Sequence, residues 1–309
     1  MRWVTFRAGD DLDDHVGLLD GEEVVRAPGL DSLLDALREG PDRLRTRAEA
    51  ALATREEVHR VSDVRLQAPL PVPPTIRDFM CFEQHVAAGA RRRGGEVVPQ
   101  WYRLPAFYFT NPYAVAGPYD PVPIAPGSAR FDFEVEVAAI VGAPARDLAP
   151  DEAERHIAGY TILNDWSARD VQFDEMTIGL GPAKGKDTAT TLGPALVTPD
   201  ELPHTDGRPD LEMRVEVNGR EYGRDRLTNM YWTFGELVAY ASRGTWVRPG
   251  DVLGSGTFGY GCLMELTGLY GEERCPWLRP GDEVTIEITG LGRIANRLVE
   301  GAEPLPLRP

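Results

Sequence analysis

RFDFEVEVAAIVG, residues 130–142, alternates between apolar and acidic side chains. Phe131, Phe133, Val135 and Val137 fall on one side of an extended chain, and Asp132, Glu134 and Glu136 on the other. A two-residue period of this kind is the signature of a β-strand. Three carboxylates along one strand face, with no Lys or Arg among them, repel one another. The strand fixes a β-rich fold class, and its acidic face raises the question of what those oxygens meet.

Working outward, most of the chain beyond residue 75 reads as strand. Candidates are 106–109, 157–163, 211–217, 220–224, 252–254, 262–269 and 283–289, with helices expected at 82–92, 150–156 and 232–243. Asn218-Gly219 between two of these runs suits a type I′ hairpin turn. The similar stretches WVRPGD (246–251) and WLRPGD (277–282) are two Pro-Gly type II turns, not a duplicated domain. Residues 1–60 read as a small α/β unit, two short strands followed by helices at 31–39 and 42–57. Pro69, Pro71, Pro73 and Pro74 exclude a central strand or helix, so the boundary is placed near residue 70. The expectation is therefore a β-rich α+β protein, with a small N-terminal domain at 1–70 and a larger domain at 71–309.

Bulk properties exclude several functions. A net charge of -16 argues against nucleic acid or an anionic membrane as partner. No apolar run approaches membrane-spanning length, and the N-terminus MRWVTFRAGDD has no apolar leader core. Cys81, Cys262 and Cys275 are odd in number and scattered, which suits neither a zinc motif nor a disulfide framework and favours a reducing cytoplasm. GSGTFG (254–259) matches GxGxxG, but GYGCLMELTGLYG follows it where a dinucleotide site needs a helix. Those glycines better serve close approach of backbone to a ligand.

Asp78 follows the proline-rich linker, and Asp165 ends the apolar run of TILNDWSARDVQF (161–173). With Glu134 and Glu136, two residues apart on one strand face and so about 7 Å apart, they would make an all-oxygen cage. Such a cage suits Mg²⁺, Mn²⁺ or Ca²⁺. Taken alone, Asp165 reads first as an N-cap for the residues after it, and His85 as a structural or surface histidine.

The succession RDF…H, FDFEVEV, LNDWSARDVQ, GKDTATT and GSGTFG…MEL, spanning about residues 75–290, resembles the fumarylacetoacetate hydrolase family. The resemblance implies a mixed β-sandwich roll, usually a homodimer, that binds a divalent metal and acts on diketo or keto acids. By position it implies Asp78, Glu134, Glu136 and Asp165 as metal ligands, His85 as general base and Glu265 as its orienting carboxylate. It implies Lys186 facing the developing anion, and Arg93, Tyr108, Gln172 and Thr257 as substrate contacts. Met80 and Met176 stand where the hydrolase acting on fumarylacetoacetate has tyrosines, which implies a different, less polar substrate. Ala88 stands where the acylpyruvase branch has a glutamate, which places this chain nearer the hydrolase branch. The implied activity is hydrolysis of a carbon–carbon bond in a 1,3-diketo acid; the same fold also accommodates decarboxylases, isomerases and dehydratases.

Overall fold

The strand Val135–Val141 is buried on both faces, because each face meets a separate core. Val135, Val137, Ala139 and Val141 join Met213, Val215, Ile286 and Ile294 in one apolar cluster. Ala138 and Ile140 join a second, with Trp3, Leu18, Leu37, Leu44 and Leu163. Each large side chain enclosed this way contributes about 1.5–3 kcal/mol, so the alternation is stabilised from both sides. The computed structural model describes residues 1–92, 94–206 and 208–308. Arg93 lies outside the described residues.

Among the described residues the main sheet has twelve strands, ten along one path and two, Val64–Leu66 and Val115–Ala116, paired beside it with Arg2–Ala8 and Thr190–Val197. Its path runs Val58–Arg60, Glu23–Arg26, His15–Asp20, Arg2–Ala8, Thr190–Val197, Ile157–Asp165, Val135–Val141, Val252–Gly254, Ile76–Phe79 and Phe107–Thr110. A five-stranded sheet, Arg220–Arg226, Glu212–Val217, Glu283–Ile288, Gly292–Val299 and Val122–Pro123, packs on one face. Helices Leu33–Arg38 and Pro41–Thr54 cover part of the other. Trp3 pairs with Leu196 across the ladder, so the prolines near residue 70 link two stretches that share one sheet. The hairpin and both Pro-Gly turns form as expected, with positive φ at Asn218, Gly219, Gly250 and Gly281.

Three local readings differ. Residues 262–269 are not a strand: Leu263–Tyr270 is a helix. The Asp132 carboxylate accepts from the amides of Leu263 (2.6 Å) and Met264 (3.0 Å) and so fixes its first turn, and Leu, Met and Glu continue it. Asp165 is the last residue of Ile157–Asp165 rather than a cap, and the helix Arg169–Met176 begins after Ala168. Thr190–Val197, overlooked because it contains Gly193-Pro194, is a central strand. A register shift between Tyr160 and Ile162 on its neighbour accommodates the proline.

Candidate metal centre and catalytic dyad

The regular ladder breaks at Phe133 and Glu134, then resumes at Val135. Next to that break the even face carries Glu134 and Glu136, and only from Ala138 onward does it meet the second apolar core. Asp78 reaches the same spot from Ile76–Phe79, where it pairs in parallel register with Gly254. Asp165 arrives at the end of its strand, with its backbone N–H bonded to the Glu134 carbonyl at 3.2 Å. One oxygen from each of Asp78, Glu134, Glu136 and Asp165 lies within 4.8 Å of the others, and all four residues are buried. Gly254 makes the convergence possible. A Cβ there would stand 2.6 Å from Glu136 Oε2 and 2.7 Å from Asp78 Oδ1.

Two buried cations meet this cluster. Arg169 donates through Nε to Asp132 (2.8 Å), through Nη2 to Glu134 (2.6 Å) and through Nη1 to Gln172 (3.0 Å). Lys186 Nζ donates to Glu134 at 2.8 Å and also to Asp165. Burial would raise Glu134, but Lys186, Arg169 and His85 outweigh it and hold its carboxyl well below the usual range. Burial disfavours a charged Arg169, yet Glu134 and Asp132 push its guanidinium well above its ordinary value. Asp132 thus leaves the acidic row for a structural post, between a helix start and a guanidinium. Asp132 and Arg169 received no role from the sequence, although Arg169 sits inside the quoted NDWSARD.

Asp78 and Glu136 have no cation of their own among the described residues, and Asp165 shares Lys186 with Glu134. Among the described residues, Asp78 Oδ1, Glu136 Oε1 and Asp165 Oδ1 are buried without a hydrogen-bond partner. Orphaned acceptors of this kind each cost about 1–3 kcal/mol. Their meeting at one point fits a hard cation, and an all-oxygen set fits Mg²⁺, Mn²⁺ or Ca²⁺. Burial, with Asp78 and Glu134 close by, pushes Asp165 up to about 8 despite Lys186.

The shift has a pH signature. Because the folded value lies above the 3.8 of a free side chain, protonated Asp165 favours the ion-free fold, and that contribution is lost as pH rises toward about 8. Glu134 works in the opposite sense, but its window is at acid pH. Thermal melts in chelator should therefore fall between about pH 6 and 8, while Mg²⁺-loaded protein falls less. A Mg²⁺-induced gain in Tm that does not change with pH would contradict this.

A second group stands beside the cage. His85, on helix Glu83–Arg92, places Nδ1 2.8 Å from Oε1 of Glu265, in the first turn of Leu263–Tyr270. The two atoms touch without meeting the angular requirements of a hydrogen bond. Glu265 Oε2 accepts the backbone N–H of Tyr260. The loop 254–261 joins the groups: Gly254 borders the cage, Gly256 N–H donates to Glu136 at 3.0 Å, and Tyr260 braces Glu265.

The remaining expected contacts divide. The Tyr108 hydroxyl lies 2.9 Å from Asp78 Oδ2 and also against Asp165. Burial and the adjacent carboxylates push it well above its ordinary value, so it stays a donor. Gln172 accepts from Arg169 through its carbonyl, which leaves its amide N–H₂ to offer a ligand. Thr257 is placed differently. Its hydroxyl accepts from Val135 N–H and donates to the Gly261 carbonyl, both at 3.0 Å, so no proton remains for a substrate carboxylate. Met80 and Met176 are exposed. No helix of the described residues is long and apolar enough to cross a membrane.

With the site assembled, likeness to known proteins acquires physical content. Residues 75–299 match the family described as Fumarylacetoacetate (FAA) hydrolase C-terminal. The human mitochondrial oxaloacetate tautomerase FAHD2A is 30% identical over 308 residues, covering 97% of this chain and 92% of that protein. The Arabidopsis thaliana fumarylacetoacetase is 31% identical over 290 residues, covering 75% of this chain and 68% of that protein. Among solved structures, the fumarylacetoacetate hydrolase of Exiguobacterium antarcticum superposes with a TM-score of 0.75 at 26% identity, over 98% of this chain and 100% of that one. The chain belongs to the fumarylacetoacetate hydrolase family and is an enzyme of that superfamily.

Proposed function

We propose that this enzyme hydrolyses a carbon–carbon bond in a 1,3-diketo acid, with water activated by His85 and a divalent ion in the four-carboxylate cage. The observation that carries the reading is the His85–Glu265 pair, braced by the same loop that borders the cage. A Mg²⁺ or Mn²⁺ ion held by Asp78, Glu134, Glu136 and Asp165 would supply Lewis-acid polarisation of the keto and carboxylate oxygens.

The chain's own groups do the rest. With Glu265 facing Nδ1, the Nδ1–H tautomer leaves the Nε2 lone pair free, and Nε2 takes a proton from water. The water oxygen bonds to the carbonyl carbon farther from the carboxylate. Collapse of that adduct breaks the carbon–carbon bond and leaves its electron pair on the keto-acid fragment as an enolate. Lys186, buried beside Glu134 and Asp165, is the cation that faces this charge. The imidazolium then returns its proton to the enolate carbon. One water is consumed and two acids form.

A tautomerase reading is the alternative, favoured by one observation. The oxaloacetate tautomerase covers 97% of this chain, the fumarylacetoacetase only 75%. Tautomerisation needs the same base and the same enolate without attack by water. Incubation with an acylpyruvate, followed by proton NMR, should show pyruvate and a second acid in equal amounts, both absent in EDTA. If the diketo acid survives while enol-oxaloacetate is converted faster than in buffer, tautomerisation replaces hydrolysis as the function.

A further inference from the structure

We propose that His85, Cys262 and Glu265 form a second metal site, selective for a thiophilic divalent ion such as Zn²⁺, and that filling it switches the enzyme off. A ring nitrogen of His85, Cys262 Sγ and a Glu265 oxygen all lie within 4.8 Å of one another. Glu265 is buried, and its Oε1 is left without a hydrogen-bond partner although it touches His85 Nδ1. At 2.8 Å no ion fits between these two atoms, so a metal would sit beside their contact, on the side of Cys262 Sγ, and part it slightly. Cys262 is fully buried and directly precedes the Glu265 helix, so backbone geometry fixes thiol and carboxylate together.

The donor set separates this site from the cage. Nitrogen, sulfur and one oxygen match the borderline-soft Zn²⁺, which takes three protein ligands and leaves a fourth position to water. The cage offers oxygen alone and selects hard ions. An enzyme with its cage filled by Mg²⁺ therefore still offers a mixed donor set that Mg²⁺ suits poorly. Binding there displaces the thiol proton to solvent.

Inhibition follows from histidine chemistry and rests on His85 being the base. With the Nδ1 lone pair given to a metal, a neutral imidazole carries its one proton on Nε2 and cannot take another from water. Glu265 is drawn to the metal as well, so the carboxylate that faces the ring during catalysis is no longer free to do so.

The test uses the whole enzyme in excess Mg²⁺, titrated with Co²⁺ as a coloured substitute and separately with Zn²⁺. Co²⁺ should produce a thiolate-to-metal charge-transfer absorption that saturates at one equivalent, and Zn²⁺ should abolish turnover. In Cys262→Ser the band should vanish and the Zn²⁺ needed for half-inhibition should rise by about tenfold or more, while turnover without Zn²⁺ stays near that of the parent. Cys262→Ala supplies the same comparison should the serine variant not fold. A parent protein without the band, or a band that persists in the folded variants through Cys81 or Cys275, overturns the site. Zn²⁺ inhibition unchanged in those variants overturns the switch, because the ion then acts at the cage. The band reports on the site even if no keto acid is turned over, so failure of the site and failure of the proposed reaction are told apart.

Discussion

Alanine at position 85 should lower turnover of the diketo acid by about 10²–10⁴-fold, the usual contribution of a general base, and leave Mg²⁺ binding nearly unchanged. The two readouts separate because the groups separate. The cage is built from Asp78, Glu134, Glu136 and Asp165, and none of its hydrogen bonds reaches His85. The cations that chiefly keep Glu134 ionised are Lys186 and Arg169, and the substitution leaves both in place. Isothermal calorimetry with Mg²⁺ and steady-state kinetics on one preparation check both halves. Full turnover in the alanine variant would remove His85 from the mechanism. Lost metal binding would instead make it a structural element of the cage.

Methionine at position 169 should cost about 3–5 kcal/mol of folding stability, the range for removing one partner from a buried ion pair. Arg169 is 1% exposed and serves two carboxylates, so its loss leaves buried Asp132 with no cation and Glu134 with Lys186 alone. Lysine would not restore it, because a single ammonium cannot span both partners as the planar fork does. Urea unfolding monitored by tryptophan fluorescence gives the magnitude. The loss should be larger in EDTA than in Mg²⁺, since the ion replaces part of the missing charge. Adding Asp132→Asn should cost less than the sum of the single changes, as groups in one network do. A cost below about 1 kcal/mol would mean that water reaches the pair.

These residues also mark what the sequence could tell. The alternation around Val135, the Asn218-Gly219 hairpin and the Pro-Gly turns are local signals, and each formed as its period or turn chemistry requires. The meeting of Asp78, Glu134, Glu136 and Asp165 was legible only through the succession of short motifs, since their spacing along the chain says nothing of distance. Asp132 stayed illegible because its partners are remote. Arg169 lies 37 positions away and the amides of Leu263 and Met264 more than 130. The same remoteness disguised the helix at 263–270, whose first turn depends on a carboxylate that no local window contains. Thr257 shows another limit, since residue type cannot reveal that its hydroxyl bonds Val135 N–H and the Gly261 carbonyl.

The pairing of Trp3 with Leu196 bears on how the chain can be handled. Residues 75–299 correspond to the recognised family segment, and an expression plan would naturally begin there. Trimming to that segment would strip a neighbour from Thr190–Val197 and uncover Ile140, Leu163, Leu192 and Leu196, now packed against the first seventy residues. An open strand edge beside a broad apolar face invites other chains to pair with it. The N-terminal strands and helices are the wall of the same core, and a shortened protein would be prone to aggregate before its active site could be assayed.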